Sequence, residues 1–104
     1  MMTYAYEEAR LDEEALQYVL ADPRGQWFLA RLFDTCGMNT TSFSPDALQM
    51  ARYEGMKDVG RYYHRELTKD AEHIALKQQM EQHYMYEKMK LTMLTGGKND
   101  EGMV

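Results

Sequence analysis

The chain has 104 residues, enough for one small domain with a thin core, and chains of this size often gain stability by associating. Hydrophobic residues make up 44% and charged residues 28%, a globular rather than disordered balance. A formal net charge of -5 argues against a general nucleic-acid binder, and no run approaches the roughly 18 apolar residues of a membrane span.

Residues 1–10 lead into a first helix, predicted over 11–21. Leu11, Ala15, Leu16, Val19 and Leu20 form an amphipathic stripe, and Asp12, Glu13 and Glu14 suit the positive end of its dipole. Asp22-Pro23 ends that helix and caps the next, predicted over 23–36 with Gly25, Phe28, Leu29, Leu32, Phe33 and Cys36 on one face. Gly37 supplies a left-handed stop. Cys36 is the only cysteine; it sits at an apolar helical position and reads as a small buried hydrophobe.

Ser44-Pro45 reads as a cap followed by proline at the first helical position, opening a third helix over 45–69. Leu48, Ala51, Gly55, Val59, Tyr62, Tyr63 and Leu67 define its expected packed side. Gly55 and Gly60 each cost about 1 kcal/mol of helix stability, so they indicate either a close neighbour or a surface flaw. Asp70 caps a fourth helix over 71–94. Its apolar residues, from Ile74 and Met80 to Met93 and Leu94, spread around the helix instead of gathering on one stripe. Residues 95–104 read as a disordered tail beyond a single helical domain of 1–94. Val and Ile total four and never alternate, so no strand competes. The expected fold is all-α, a small bundle of about four helices with a long C-terminal helical pair.

The expected core is Leu16, Val19, Leu20, Phe28, Leu29, Leu32, Phe33, Leu48, Ala51, Val59, Tyr63 and Leu67. Truncating Phe28 to Ala would cost about 3–5 kcal/mol if that ring is buried.

Chemistry-bearing motifs are sparse. No phosphate loop, nucleophile elbow or clustered Cys/His spacing occurs, so neither catalytic residues nor a cofactor are expected. Asp70-x-x-His73 places a carboxylate and an imidazole on one helix face, but a bundle metal site needs more ligands than this half-motif offers, and no metal is expected. Lys57, Arg61, Arg65 and Lys69 make a basic ridge along the third helix. Glu54, Asp58 and Glu66 stand beside it, at the spacing for intrahelical ion pairs. Arg61 and Arg65 are the ridge's candidate contacts for an acidic partner surface, with DNA phosphates less favoured. The other candidate contacts are Met80, Tyr84, Met85, Met89 and Met93 on the fourth helix. Ten Met and eight Tyr supply contact area that tolerates imperfect geometry.

From Val19 to about Gln79 the chain resembles a small family of tailed-bacteriophage proteins, Bordetella-phage-type virion-module proteins encoded near the portal gene. The resemblance rests on Leu20-Ala21-Asp22-Pro23-Arg24-Gly25, Phe28-Leu29, Arg31-Leu32, Cys36-Gly37, Thr41-Ser42-Phe43, Ala47-Leu48, Glu54-Gly55, Val59-Gly60 and Glu66-Leu67. The family tends to carry further basic residues after Arg24-Gly25 and Glu54-Gly55, where this chain has Gln26-Trp27 and Met56-Lys57. The resemblance implies a phage virion-module gene product and brings no catalytic residues. In that setting the expected function is that of a non-enzymatic structural protein docking in many copies on phage structural proteins (a portal, head-tail or capsid ring), residing in the virion and in the host cytoplasm during assembly. The alternatives are an internal protein ejected with the genome, or a non-virion regulator of packaging or of a host protein.

Overall fold

The computed structural model describes residues 3–38 and 40–96. Within them the chain forms four α-helices and no strand: α1 (Tyr4–Ala21), α2 (Pro23–Thr35), α3 (Ala47–Leu67) and α4 (Ala71–Thr95). The fold is the expected all-α bundle, and its two longest helices are the C-terminal pair.

Each helix starts where a short polar side chain captures free backbone N–H groups. The Thr3 hydroxyl accepts from Tyr6 N at 3.1 Å, so α1 opens seven residues before Leu11, its expected start. Arg10 reinforces the early turns by bridging Glu7 at 2.8 Å and Glu14 at 2.6 Å. Asp22 closes α1 and caps α2 through a 2.8 Å bond from Arg24 N, with Pro23 following as predicted. Gly37 leaves α2 at φ 75, the left-handed stop. The cap of α3 is Asp46, not Ser44. Its Oδ1 accepts from Leu48 N at 2.9 Å, which moves the start two residues past Pro45. Asp70 caps α4, which continues to Thr95 and ends at left-handed Gly96. Residues 97–104, assigned to a tail from the sequence, lie outside the described residues.

The core is assembled by α2, which packs on α1 at one side and on α4 at the other. Leu20, Leu29, Ala30, Phe33, Leu67 and Met80 form its buried centre, and Leu16, Val19, Leu32, Met38, Leu76 and Tyr84 close around it. Cys36 is buried beside this layer, as expected.

The predicted core is corrected at five positions. Phe28 is 67% exposed, Leu48 is 83% exposed, and Ala51, Val59 and Tyr63 are also on the surface. The cause for α3 is its placement. Its closest packing is with α4, while it makes few backbone contacts with α1 or α2, so most of its apolar side has nothing to cover it. The arrangement is extended, 58 × 38 × 24 Å, with a radius of gyration of 16.8 Å. A compact domain of this length would have a radius of about 13 Å.

The two interior glycines of α3 differ. A Cβ on Gly60 would lie 2.6 Å from Met38 Sδ and 3.2 Å from Cys36 Cβ, so the helix passes close over the end of α2 there. A Cβ on Gly55 would meet nothing within 4 Å. Gly55→Ala is therefore expected to raise stability by about 1 kcal/mol through helix propensity alone. Urea denaturation followed by circular dichroism measures it, and a loss of stability would mean that this face is covered.

Candidate association surface

The C-terminal helix is held to the bundle by its first four turns. Met80 is 1% exposed and belongs to the core, which corrects its assignment as a partner contact. One turn on, the Tyr84 ring lies 5.0 Å from Trp27, and its hydroxyl donates to Asp34. Tyr84 is thus committed largely to α2 rather than to a partner. The pair lies in the half-buried zone, where a tyrosine can bury its ring and still satisfy its hydroxyl.

Beyond Tyr84 the helix emerges. Met85, Met89 and Met93 are exposed and recur every fourth residue, one stripe about 12 Å long. Tyr86, Leu91 and Leu94 are exposed as well, so apolar surface nearly surrounds the last three turns. Leu91 still faces Pro23 and Arg24 across a cleft; past it, Met93 is 82% exposed. Apolar surface of this extent, with no covering element, is the usual mark of a contact site.

A polar clasp fixes the other end of α4. His73 is 5% exposed and lies between two carboxylates: Nδ1 is 2.6 Å from Asp70 Oδ1, and Nε2 is 2.5 Å from Glu13 Oε1 on α1. Both ring nitrogens face acceptors, so only the doubly protonated imidazolium can donate to both. Lys69 joins from the α3–α4 turn, 2.8 Å from Glu13 and 3.2 Å from Glu66. The Asp70 bond is the main cause raising the His73 pKa above its ordinary 6.5, and burial opposes it. Lys69 is the main cause holding Glu13 down at about 2. The half-motif Asp70-x-x-His73 is therefore one side of an interhelical clasp, which the sequence could not show because Glu13 is sixty residues away. Among the described residues no group of three or more His, Cys, Asp or Glu side chains is placed to hold a metal ion.

The clasp predicts a pH optimum. A raised His73 pKa gives stability that is complete below 6.5 and is lost as the pH climbs through the folded value. A lowered Glu13 pKa gives stability that is complete above 4.5 and is lost as the pH falls toward 2. The thermal midpoint is therefore expected to be highest between those two ordinary values and to fall on the alkaline side. His73→Gln should flatten the alkaline decline, and an unchanged profile in that variant would remove His73 as its source.

The basic ridge is mostly engaged at home. Arg61 pairs with Asp58 at 2.8 Å and Glu54 at 2.9 Å, Lys57 donates to Thr40 O, and Lys69 belongs to the clasp. Of the two ridge candidates, Arg61 is thus satisfied within its helix, whereas Arg65 is exposed and makes no ion pair among the described residues. Both remain surface residues on α3.

Sequence reasoning missed a second apolar feature. Between α1, α2 and α3 lies an open groove of about 470 Å³, floored by Leu16, Leu29 and Leu32 and walled by Phe28, Tyr62 and Tyr63. Its signal in the sequence is the long apolar side of α3, which reads as core because no periodicity reveals a missing neighbour.

Fold and surface together define a small all-α protein whose uncovered apolar surface includes a helix end and a groove. A family model described as Bbp19-like phage protein matches residues 16–78, well over half the chain. The chain belongs to that phage protein family. The matched span runs from the last third of α1 into α4 and stops before the exposed end of α4. Comparison with curated proteins and with solved structures gives no match.

Proposed function

We propose that this phage protein is a non-enzymatic structural component of the virion, docking in many copies on a portal, head-tail or capsid ring. The observation that carries the reading is the uncovered apolar end of α4, set on a bundle that belongs to a phage protein family. A surface of this kind is costly in water and is expected to be covered in the assembled state. Many copies on a ring would multiply individually modest contacts into stable attachment. The basic ridge supports a protein partner better than DNA, because Glu54 and Asp58 already neutralise Arg61. Among the described residues no helix is long and apolar enough to cross a membrane.

Mass spectrometry of purified, DNA-filled particles tests the proposal. The protein is expected at a fixed copy number consistent with ring symmetry. Its absence from such particles would sink the virion assignment and favour a regulator of packaging or of a host protein.

A further inference from the structure

We propose that the exposed end of α4 in one copy docks into the α1–α2–α3 groove of a second copy. This goes beyond the virion role, because it assigns the two apolar features to each other.

The shapes and charges match. The groove has an apolar floor and a rim of Asp12, Glu13 and Glu66 against Lys69, three carboxylates to one ammonium. His73 touches Glu13 from beneath, and Lys69 is already shared between Glu13 and Glu66; Asp12 makes no ion pair among the described residues. The α4 end has the opposite balance over 85–95: Lys90 pairs with Glu87 at 3.3 Å, which leaves Lys88, seated over the Tyr84 ring, as the excess positive charge. Its Met85, Met89 and Met93 stripe has the spacing by which a helix anchors in an apolar groove, and thioethers adapt to imperfect walls. Tyr62 and Tyr63, packed edge to face at 5.1 Å, offer the aromatic wall that methionine sulfur favours.

A chain cannot fill its own groove. Helix α2 turns Trp27, Ala30 and Phe33 toward α4, and Phe28, Leu29 and Leu32 toward the groove. The α4 end, anchored by Tyr84 along Trp27 and Asp34, lies on the wrong side of α2. The occupant must come from another molecule, and a second copy carries a helix end of matching character. Both surfaces are open: Met85, Met89 and Met93 on the arm, and Phe28 and Tyr62 on the groove walls, are each more than half exposed. Because an arm meets a groove, each copy in a head-to-tail array keeps one of each for its neighbours, an arrangement that forms a ring when the rotation between copies closes and a filament when it does not.

The test is analytical ultracentrifugation of the full chain and two variants, each checked for helix content by circular dichroism. The wild type is expected to self-associate in the micromolar range, more weakly as salt rises. Met89→Glu with Met93→Glu disables the arm, and Phe28→Glu disables the groove; each alone should weaken association at least about tenfold. Mixed together they should form a 1:1 heterodimer and nothing larger, since one intact arm and one intact groove remain. Should Phe28→Glu unfold the chain, Tyr62→Glu on the opposite wall takes its place. A wild type that stays monomeric at 200 μM (roughly the upper limit for a weak but specific contact), variants that associate like the wild type, or a mixture that fails to pair would each overturn the proposal. A monomeric chain that is nonetheless present in virions would assign the groove or the arm to another phage protein and leave the proposed function standing.

Discussion

Gly25→Ala is expected to destabilise the protein by about 3 kcal/mol or more, enough to unfold much of so small a chain. A Cβ at residue 25 would lie 2.1 Å from Val19 O, 2.8 Å from Val19 C and 2.9 Å from Val19 Cα. All three are backbone atoms, so no side chain can swing aside. The helices cannot easily separate either, because Asp22 ends one and caps the other, and Gln26 Nε2 donates to Leu20 O at 2.8 Å across the corner. Relief would require opening the angle between α1 and α2, and with it the packing of Leu20 on Leu29. Denaturant unfolding of the variant measures the loss. A cost under about 1 kcal/mol would mean that the corner is far more compliant than its geometry indicates.

Leu67→Ala is expected to cost about 2–5 kcal/mol, and Phe28→Ala less than about 1 kcal/mol. Leu67 is 0% exposed and is the residue by which α3 reaches the core shared with Leu20, Phe33 and Met80. Removing it deletes the main apolar tie between the α3–α4 turn and the rest of the bundle, and leaves a cavity that its rigid neighbours fill poorly. Phe28 is on the outer wall of the groove, so its truncation removes little buried area. Thermal or urea unfolding of the two variants side by side decides the matter. Equal losses would place Phe28 in the core after all, and the groove would then be closed in solution.

The periodic readings fared differently on α2 and α3, for one reason. On α2 an apolar pattern covering much of the circumference was read as one face, and the structure divides it. Ala30 and Phe33 go inward with Leu29, while Phe28 is left on the groove side. On α3 a regular stripe predicts core, yet Leu48 and Val59 are exposed because no helix lies opposite them. Hydrophobic periodicity states which face a helix would bury; it does not state whether a neighbour is present. The candidate contacts on α4 show the complementary limit. Met80 and Met89 are alike in type and spacing, and only the distance α4 runs beside α2 makes the first a core residue and leaves the second exposed.

What the sequence determined by itself is local. Asp22-Pro23, Gly37 and Asp70 punctuate four helices because caps, stops and proline act through hydrogen bonds and φ restrictions within a few residues. The absence of alternating β-branched residues was enough to exclude a sheet, and the motif run from Leu20 to Leu67 carried the family. Tertiary structure decided everything that depends on distant partners. His73 joins an interhelical clasp only because Glu13 approaches from α1, sixty residues earlier in the chain. Gly25 leaves no room for a Cβ only because the Val19 backbone turns back onto it. The groove exists only because α3 stays apart from α1 and α2. Burial and ionisation are set by what lies within a few ångströms in space, and in a bundle with so few covering elements that neighbourhood is not written in the order of the residues.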